Sequence, residues 1–504
     1  MPDSNDFTLL EATIVSSRDQ LYDTAAYDIG VENGIISYVS PAGQREPVGR
    51  RISSKGKIVT PGWINGHTHS HEGFYKGRHD NLPLELWMNN VRPLRPIPLT
   101  PRQVYLRTLI GGIDALRSGT TTLCDDLNAS PVLKPDHINA ALQAYEDLGI
   151  RALVGLTLFD KPFFRALPFV EEEFDRELLG QLDSSGGTPA SEYLAFAEAL
   201  AKERHPRSNR VGYIAAPSAP QRCTREFLEA VRDLADRHQL PTMIHVQETR
   251  LQAVTAKIMY GCTMIEYLAS IDFLKPATSI IHGVWLTPNE LQLLSNANTS
   301  IQHNPQSNLK LGSGVAPVRH MLDAGVNVSL GTDGCGSIEN ANMLNVIAQA
   351  ALIGKLRGDD FEHWVGAEEA FHAATVGGAK ALGMQDSLGQ IVAGQKADLN
   401  VWRTDTIAFM PLNSPLRQLV FNEGGGSLEA SFVEGEQVIE EGQLCKINER
   451  EILAEIAQEH AALEPLIAES ERDVARLAPS YRRIWDRCQT IPIDSAVYAA
   501  RFDE

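Results

Sequence analysis

Two histidines that stand one residue apart, His67 and His69, give the first sign of chemistry in this chain. They follow the apolar stretch 58–63, which is typical of a buried β-strand. On an extended strand, positions i and i+2 share one face, so both imidazoles point the same way and can bind one metal ion. Because a lone His-x-His motif also arises by chance, its meaning depends on further ligands elsewhere in the chain.

Three later apolar stretches also end in residues that can bind a metal or move a proton. His245 closes one of them and is followed by Glu248, while His282 and Asp333 close two others. In a parallel barrel the carboxyl ends of all strands open onto one pocket, so these side chains are expected to converge there. Any one of them alone is more often a structural residue, but their shared placement predicts a metal-dependent site.

Strand-like and helix-like segments alternate through the middle of the chain. Eight segments have the apolar character of buried parallel strands: 58–69, 119–126, 151–158, 211–217, 241–247, 278–285, 299–303 and 326–333. The clearest helical patterns cover 100–117, 137–148, 190–204, 224–238, 288–297 and 340–356. Thr224 and Thr287 have the sequence context of helix N-caps. Eight βα units predict an α/β fold, a (β/α)8 TIM barrel. A doubly wound sheet is the alternative, but no strand is followed by its Gly-x-Gly-x-x-Gly motif.

Both ends of the chain carry short strand patterns instead. Residues 8–60 and the region from Leu388 onwards predict one small β-sandwich built from both chain ends, with strands at 389–391, 397–402, 430–433 and 437–439 in its second half. The predicted organisation is 1–58 and 388–447 for the sandwich, 59–387 for the barrel and 448–504 for a helical tail. The tail is expected to pack on the barrel or on a partner subunit. Residues 159–189 interrupt the barrel pattern as an active-site lid or as a disordered surface loop.

Composition limits the classes of function. The formal net charge of −19 over 504 residues disfavours binding to nucleic acid or to anionic membranes and favours a small-molecule partner. No apolar run is long enough to span a membrane, and the polar, acidic start does not resemble a signal peptide. The six cysteines form no Cys-x-x-Cys pair, which fits a reduced, cytoplasmic location.

Taken together, several motifs resemble the amidohydrolase superfamily. They are Pro-Gly-Trp-Ile-Asn-Gly-His-Thr-His at 61–69, His-x-x-Glu at 245–248, His-Gly-Val-Trp-Leu at 282–286, His-Asn-Pro-Gln-Ser-Asn-Leu-Lys-Leu-Gly-Ser-Gly at 303–314 and Gly-Thr-Asp-Gly at 331–334. The chain is most similar to the branch of mononuclear aminohydrolases and chlorohydrolases. That branch includes deaminases of cytosine, S-adenosylhomocysteine, guanine or 8-oxoguanine, and triazines.

The resemblance implies one divalent metal ion per chain, zinc or iron, bound by His67, His69, His245 and Asp333. Three imidazoles and one carboxylate suit either metal and leave a position for water. A metal ion in such a site lowers the pKa of bound water to about 7, which makes hydroxide available to attack a ring carbon.

Three residues are expected to move protons during this reaction. Asp333 can take the proton of the water, His282 can direct the water, and Glu248 can protonate a ring nitrogen of the substrate. The predicted activity is hydrolytic deamination of a nitrogen heterocycle such as a purine, pyrimidine, pterin or triazine, which makes the chain a hydrolase of non-peptide carbon–nitrogen bonds.

Departures from the family bear on the substrate. The fourth strand, 211–220, lacks the lysine of two-metal relatives, and Ser218 stands where nucleoside deaminases often carry histidine. The segment that begins at Trp87 ends in Arg95, where those enzymes have a glutamate. These differences disfavour cyclic amidases and adenosine-like substrates. Arg95, Lys76 and Arg78 would contact an anionic group or are ordinary surface cations.

Four residues are candidates for substrate contact: Trp87, His71, Ser218 and His303. Trp87 could stack on a flat ring or pack in the core. His71 could touch the substrate or line the mouth of the site.

Three other functions remain open from the sequence: a hydrolytic dehalogenase, a cyclic amide hydrolase and a non-catalytic barrel that serves as a scaffold. By analogy with other barrels of this kind, a homo-oligomer, a dimer or larger, is expected.

Overall fold

The computed structural model describes residues 6–15, 25–93, 96–184, 187–356 and 360–493. In chain order, its strands are β1 (Phe7–Ile14), β2 (Tyr27–Glu32), β3 (Ile35–Pro41), β4 (Arg50–Ser53), β5 (Lys57–Pro61), β6 (Trp63–Thr68), β7 (Thr120–Leu127), β8 (Arg151–Leu156), β9 (Val211–Ile214), β10 (Thr242–Val246), β11 (Thr278–His282), β12 (Ser300–His303), β13 (Val328–Leu330), β14 (Leu399–Arg403), β15 (Leu428–Val433), β16 (Glu436–Glu440) and β17 (Gln443–Leu444).

Strands β6 to β13 form a parallel barrel. They run as two sets of four neighbouring strands, β6-β7-β8-β9 and β10-β11-β12-β13. The sets meet where the Met243 amide donates to Ala215 O (3.0 Å), and they close where the Asp333 amide donates to His67 O (2.9 Å). The predicted TIM-barrel-like α/β fold is therefore confirmed, with each of the eight predicted segments overlapping one barrel strand.

Helices connect the barrel strands. The α-helices are α1 (Leu84–Val91), α2 (Pro101–Arg117), α3 (Pro135–Leu148), α4 (Val170–Glu173), α5 (Arg176–Asp183), α6 (Ala190–Glu203), α7 (Arg225–His238), α8 (Arg250–Tyr260), α9 (Met264–Ser270), α10 (Pro288–Asn296), α11 (Pro305–Lys310), α12 (Val318–Asp323), α13 (Cys335–Ile338), α14 (Met343–Ile353), α15 (Ala367–Ala374), α16 (Val376–Ala381), α17 (Pro415–Phe421), α18 (Glu449–Ala475) and α19 (Ala478–Thr490). Short 3-10 turns cover Ser70–Tyr75, Phe163–Ala166, Pro220–Arg222, Gly354–Leu356 and Phe361–His363. Both predicted N-caps are confirmed, because Thr224 accepts a hydrogen bond from the Phe227 amide and Thr287 forms a capping box with Glu290.

One predicted strand proves to be two. The segment 58–69 was expected to be continuous, but it breaks at Gly62 into β5 and β6. The Gly62 amide donates to Asp398 O (2.9 Å), outside the barrel, whereas the next amide, that of Trp63, donates to Gly119 O (3.0 Å) within it. A Cβ at Gly62 would lie 2.1 Å from Thr121 Oγ1, so only glycine fits at this crossing.

A second sheet combines strands from both ends of the chain. It contains nine strands, with the order β17-β16-β15-β14-β5-β1-β2-β3 and β4 paired to β1. Val59 of β5 pairs with Val401 of β14 in the antiparallel ladder between the two halves. The predicted strand at 389–391 is wrong. This segment bends instead, with Gly389 at φ +94°, and the Gln390 amide bonds the side chain of Gln395 (3.0 Å).

A buried arginine links this sheet to the barrel. Arg151 begins β8, has no exposed side-chain surface, and lies 3.1 Å from Asp398 Oδ1 and 3.5 Å from Glu434 Oε2. Asp398 also accepts the Glu434 amide at 2.8 Å. The two carboxylates belong to the loops that flank β14 and β15, so the ion pairs fix the barrel against the second sheet.

The excursion at 159–189 and the helical tail pack on each other. The excursion contains helices α4 and α5, so its described residues are ordered, unlike a disordered surface loop. Their apolar side chains meet those of α19: the ring of Tyr481 lies 5.3 Å from that of Phe174 and 6.0 Å from that of Phe163. Among the described residues, no helix has both the length and the apolar character needed to cross a membrane.

Candidate active site

His67, His69 and Asp333 meet at the carboxyl end of the barrel. The rings of His67 and His69 are 4.6 Å apart, as their placement on one face of β6 predicts. Nε2 of each histidine lies 3.4 Å from Oδ1 of Asp333. The predicted convergence of strand ends β6 and β13 therefore brings these three side chains together.

His245 completes this group of imidazoles. Its ring lies 4.9 Å from that of His67 and 5.4 Å from that of His69. Nδ1 of His69 bonds Asp126 O, and Nδ1 of His245 bonds Ser218 O, each at 2.8 Å. A carbonyl oxygen can only accept, so both Nδ1 atoms carry the proton and both Nε2 lone pairs are free to bind a metal.

The protonation of the cluster also suits a metal ion. Burial, followed by the nearby His67, holds the pKa values of His69 and His245 well below the usual range, so both rings are neutral at pH 7. Neither ring nitrogen of fully buried His67 has a hydrogen-bond partner within the described residues. One nitrogen from each of the three histidines lies within 4.8 Å of the others, and this donor set fits zinc or iron.

Glu248 and His282 lie beside the cluster. Nε2 of His282 is 3.5 Å from Oε2 of Glu248 and 4.0 Å from Oδ2 of Asp333. Nδ1 of His282 bonds Asn308 Oδ1 (2.9 Å), which turns Nε2 towards the carboxylates. Burial, and then the charge of Asp333, raises the pKa of Glu248 well above its usual range, which favours the protonated acid.

Two of these residues have strained backbone. Asp333 has φ +69° and His282 has φ +73°, in the left-handed region that side chains other than glycine rarely adopt. Asp333 is held there because its Oδ1 accepts the Gly334 amide (2.9 Å) and its carbonyl accepts Thr68 Oγ1 (3.0 Å). Such strain is common where a side chain must be aimed at a site.

His71 lies at the edge of the cluster, 5.1 Å from His69 between ring centres. Its Nε2 faces Arg92 Nε and its Nδ1 faces the Asn128 amide, each at 3.3 Å. Buried Glu72 lies behind it, 3.9 Å from Nε2, and accepts the Gly336 amide at 3.2 Å. His71 therefore joins the imidazole cluster to Arg92.

The other three candidates for substrate contact are buried as well. Ser218 accepts a hydrogen bond from Arg222 Nη1 (3.3 Å) through its hydroxyl. His303 ends β12 within the barrel. Trp87 packs in a small apolar cluster and donates from its indole to Gly336 O (3.2 Å). Their predicted contacts with a substrate stay predictions.

The cations suggested by the sequence do not gather at the site. Lys76 lies 3.6 Å from Asp114, and Arg78 bonds Glu464 and Glu471 of α18 at 2.5 to 3.1 Å. Arg95 lies outside the described residues. Lys76, which is partly exposed, agrees with the alternative interpretation as an ordinary surface cation, whereas Arg78 is mostly buried in its ion pairs with α18.

A cavity of about 1000 Å³ lies beside this site and reaches it at His71, whereas the six clustered residues themselves do not line it. His71 and Arg92 border it on the side of the imidazoles, and Arg222 follows β9 at its wall. Leu463 of α18 and Tyr481 of α19 also line it. The helical tail thus forms part of the cavity wall.

Several supporting residues escaped the sequence analysis. Asp126 and Asn308 orient His69 and His282. Asn308 falls within the motif 303–314, so the sequence offered a reason to consider it. Nothing in the sequence indicated that the backbone oxygen of Asp126 would bond the ring of His69. Arg222 stands four residues after Ser218, just past a barrel strand. This position was the one feature of the sequence that could have indicated that Arg222 lies near the site.

A parallel barrel with imidazoles and a carboxylate at its carboxyl rim has the arrangement of a barrel enzyme, in which the active site lies at the carboxyl ends of the strands. The model of the Amidohydrolase family matches residues 58–438. The chain belongs to the amidohydrolase family.

Known relatives extend this comparison. The chain is 33% identical over 426 residues to a 5-methylthioadenosine/S-adenosylhomocysteine deaminase of Pyrococcus furiosus, covering 84% of this chain and 94% of the relative. It is 31% identical over 442 residues to a 5'-deoxyadenosine deaminase of Methanococcus aeolicus, covering 86% and 95%.

Solved structures share the fold. An adenosine deaminase of Xanthomonas campestris with bound zinc superposes with a TM-score of 0.79 at 25% identity, covering 96% of this chain and 98% of that one. The zinc complex of atrazine chlorohydrolase from Arthrobacter aurescens superposes with a TM-score of 0.80 at 24% identity, covering 90% and 99%. The second similarity concerns the fold alone.

Proposed function

We propose that this protein is a metal-dependent hydrolytic deaminase of a nitrogen heterocycle. The observation that carries the proposal is that the imidazoles of His67, His69 and His245 lie together and that Asp333 lies 3.4 Å from two of them, with Glu248 and His282 beside the group. A scaffold protein would have no use for a cluster of neutral imidazoles next to a carboxyl group whose pKa is raised. The deaminase names of the relatives support the same reaction class.

We assign metal binding to His67, His69, His245 and Asp333. A divalent ion held there, zinc or iron, would activate a water molecule for attack on a ring carbon. The backbone oxygens of Asp126 and Ser218 fix the tautomers of His69 and His245, as partners of metal-binding histidines usually do.

The proton-transfer roles follow from the surroundings of each group. Asp333 accepts a proton from the attacking water, because the nearby imidazoles keep its carboxylate ionised. His282 orients the attacking water through a hydrogen bond at its Nε2 atom. Glu248 donates its proton to a ring nitrogen, which makes the adjacent carbon electrophilic. The proton taken by Asp333 then passes to the amino group, which leaves as ammonia, and the hydroxyl proton returns to Glu248 as the carbonyl forms.

Purine derivatives are the first substrates to test. The relatives named above are deaminases of adenosine derivatives. Ser218, in place of a histidine common in nucleoside deaminases, argues for a substrate that differs from adenosine itself. Pyrimidines, pterins and triazines therefore belong in the same assay.

The deciding experiment measures ammonia release by the metal-loaded protein across aminated purines, pyrimidines, pterins and triazines. Chloride release from the chlorinated analogues is measured alongside. Ammonia release from at least one aminated ring supports the proposal. Chloride release alone would establish a dehalogenase instead, and ring opening without ammonia would establish a cyclic amide hydrolase. No turnover in the presence of zinc or iron would favour the scaffold.

We also infer the organisation of the chain. Residues 59–387 are assigned to the catalytic barrel, 1–58 and 388–447 to one small β-sandwich, and 448–504 to the tail. The stacking of Phe7 on Phe432 at 4.5 Å, between opposite ends of the chain, supports the sandwich. A cytoplasmic homo-oligomer is proposed by analogy, and size-exclusion chromatography with light scattering tests the oligomeric state.

A further inference from the structure

A buried glutamate of α1, Glu85, contacts the residue that follows the proposed general acid Glu248. Its Oε1 atom accepts the hydroxyl proton of Thr249 at 2.5 Å, although the two residues lie 164 positions apart in the sequence. Thr249 ends the short connection 247–249 between β10 and α8. Both side chains are buried. The contact therefore joins α1 to the connection that carries Glu248.

The hydroxyl of Thr249 is used in both directions. As the N-cap of α8, its Oγ1 accepts the Gln252 amide at 3.3 Å, and it donates its single proton to Glu85. Oε1 of Gln252 accepts the Glu248 amide at 2.9 Å. The backbone of Glu248 and Thr249 is therefore held by the first turn of α8 on one side and by α1 on the other.

The carboxyl group of Glu85 is costly for the stability of the fold. Glu85 is 2% exposed, and its Oε2 atom has no hydrogen-bond partner among the described residues. Burial raises the pKa of this carboxyl group, and the hydrogen bond from Thr249 opposes that shift. A buried polar atom without a partner costs free energy, which an apolar side chain beside the buried Leu84 and Trp87 would avoid. Stability alone therefore does not account for a carboxyl group at this position.

The direction of the Glu248 side chain depends on its backbone. The contacts of its carboxyl group with His282 at 3.5 Å and with Ser313 at 3.4 Å are long for hydrogen bonds. The preceding residue, Gln247, has φ +49°, in the left-handed region, and such a conformation persists only where the surrounding structure holds it. The link between Thr249 and α1 is part of that support.

We infer that Glu85 is a positioning residue, which acts through Thr249 to fix the direction from which Glu248 donates its proton. The inference rests on the proposed function for the role of Glu248. Because Glu85 acts through Thr249 and not through contact with the reacting ring, its loss should weaken the transition state and leave substrate binding unchanged. A change of this kind lowers kcat and spares KM.

The first test compares two substitutions of Glu85 in the full-length, metal-loaded protein, using the aminated ring on which the wild-type protein is most active. Glu85→Leu removes the acceptor and should lower kcat by about tenfold or more, with KM within about twofold of the wild-type value. Glu85→Gln keeps a side-chain oxygen for Thr249 and should keep kcat within about threefold. Equal losses in both variants would show that the charge of Glu85 matters and not its hydrogen bond, and the inference would be wrong.

A double-mutant cycle tests whether the effect passes through Thr249. Thr249→Val removes the donor and should also lower kcat. If Glu85 acts through this hydroxyl, the double variant should be little worse than the weaker of the two single variants. Losses that multiply would show that Glu85 acts by another route and would overturn the inference.

Glu423→Leu is the matched control for a purely structural role. Glu423 is also buried, with Oε1 bonded to the Gly425 amide at 2.7 Å and Oε2 without a partner among the described residues, but it lies in the loop between α17 and β15. Thermal unfolding and metal content are measured on every variant. Glu423→Leu should lower the unfolding temperature and leave kcat unchanged. A fall in kcat that follows the loss of stability in both variants would reduce Glu85 to a structural contact.

Hydrogen exchange gives a second measurement, which does not depend on turnover. Exchange of the Glu248 amide, followed in peptides that cover 247–252, should become faster in Glu85→Leu and stay unchanged in Glu423→Leu. Unchanged exchange in both variants would contradict the inference. If the wild-type protein releases no ammonia from any ring, the deaminase proposal fails, and the exchange rates still decide whether Glu85 fixes the position of Glu248.

Discussion

Oε2 of Glu248 lies 3.5 Å from Nε2 of His282, where two adjacent barrel strands end. Burial and the charge of Asp333 raise the pKa of Glu248. Burial would also raise the pKa of Asp333, but His67, His69 and His282 outweigh it and hold that pKa well below its usual range. Two carboxyl groups whose pKa values move in opposite directions can act as acid and base in one reaction.

Glu248→Gln should abolish most of the activity without loss of metal. The amide keeps the shape of the side chain but cannot deliver a proton, so kcat should fall by about 100-fold to 10,000-fold. Ammonia release and metal content are measured on the same sample. Equal activity of the two proteins would show that another group protonates the substrate.

The fall of kcat/KM at alkaline pH should reflect the loss of the proton of Glu248. A carboxyl group with a raised pKa is protonated at low pH and loses its proton as the pH rises through that pKa, so kcat/KM falls on the alkaline side. Ser313 Oγ lies 3.4 Å from Glu248 Oε1, and its hydrogen bond lowers that pKa. Ser313→Ala should therefore move the limb upwards by about 0.5 to 1 pH unit, the effect of a hydrogen bond of about 1 kcal/mol. A limb that does not move would assign it to another group.

Metal content should depend on His67 and not on a histidine elsewhere. Elemental analysis of the wild-type protein is expected to give about one ion of zinc or iron per chain, and His67→Ala should give almost none. His363→Ala is the control, because His363 is exposed and pairs with Asp360 away from the cluster. Retention of the ion by His67→Ala would remove His67 from the ligand set.

Arg151→Met should destabilise the protein by about 3 to 5 kcal/mol, because it leaves the buried carboxylate of Asp398 without its partner. Urea unfolding gives the change in the free energy of unfolding. Arg403→Met removes an exposed ion pair with Asp405 and should cost about 1 kcal/mol or less. Equal losses in the two variants would show that the buried pair does not join the barrel to the second sheet.

The sequence predicted the barrel and the residues at its rim for a simple physical reason. Parallel strands buried on both faces are apolar runs, and parallel order places all their carboxyl ends on one side. His67, His245, His282 and Asp333 could therefore be expected to meet before any coordinates were known. Glu248, the proposed general acid, was found in the same way, because it follows His245 closely in the sequence.

Other features depend on contacts between distant segments, which local patterns do not specify. Gly62 looks like part of one strand, and only its contact with Thr121 and its hydrogen bond to Asp398 show the break. The sequence predicted a helical tail that packs on the barrel or on a partner subunit, but not that Tyr481 would line the cavity. Nothing in the sequence indicated that the guanidinium of Arg222 would lie over the ring of Phe159.

The pairing of β5 with β14 has a consequence for synthesis of the chain. The indole of Trp402 donates to Thr60 Oγ1 (3.0 Å), a residue 342 positions earlier. While the ribosome synthesises the barrel, β14 does not yet exist, so the backbone groups on that edge of β5 have no strand to pair with. Unpaired strand edges of this kind promote aggregation. Completion of the sheet therefore follows translation of the whole barrel, and a nascent chain that stops before residue 399 keeps this edge exposed.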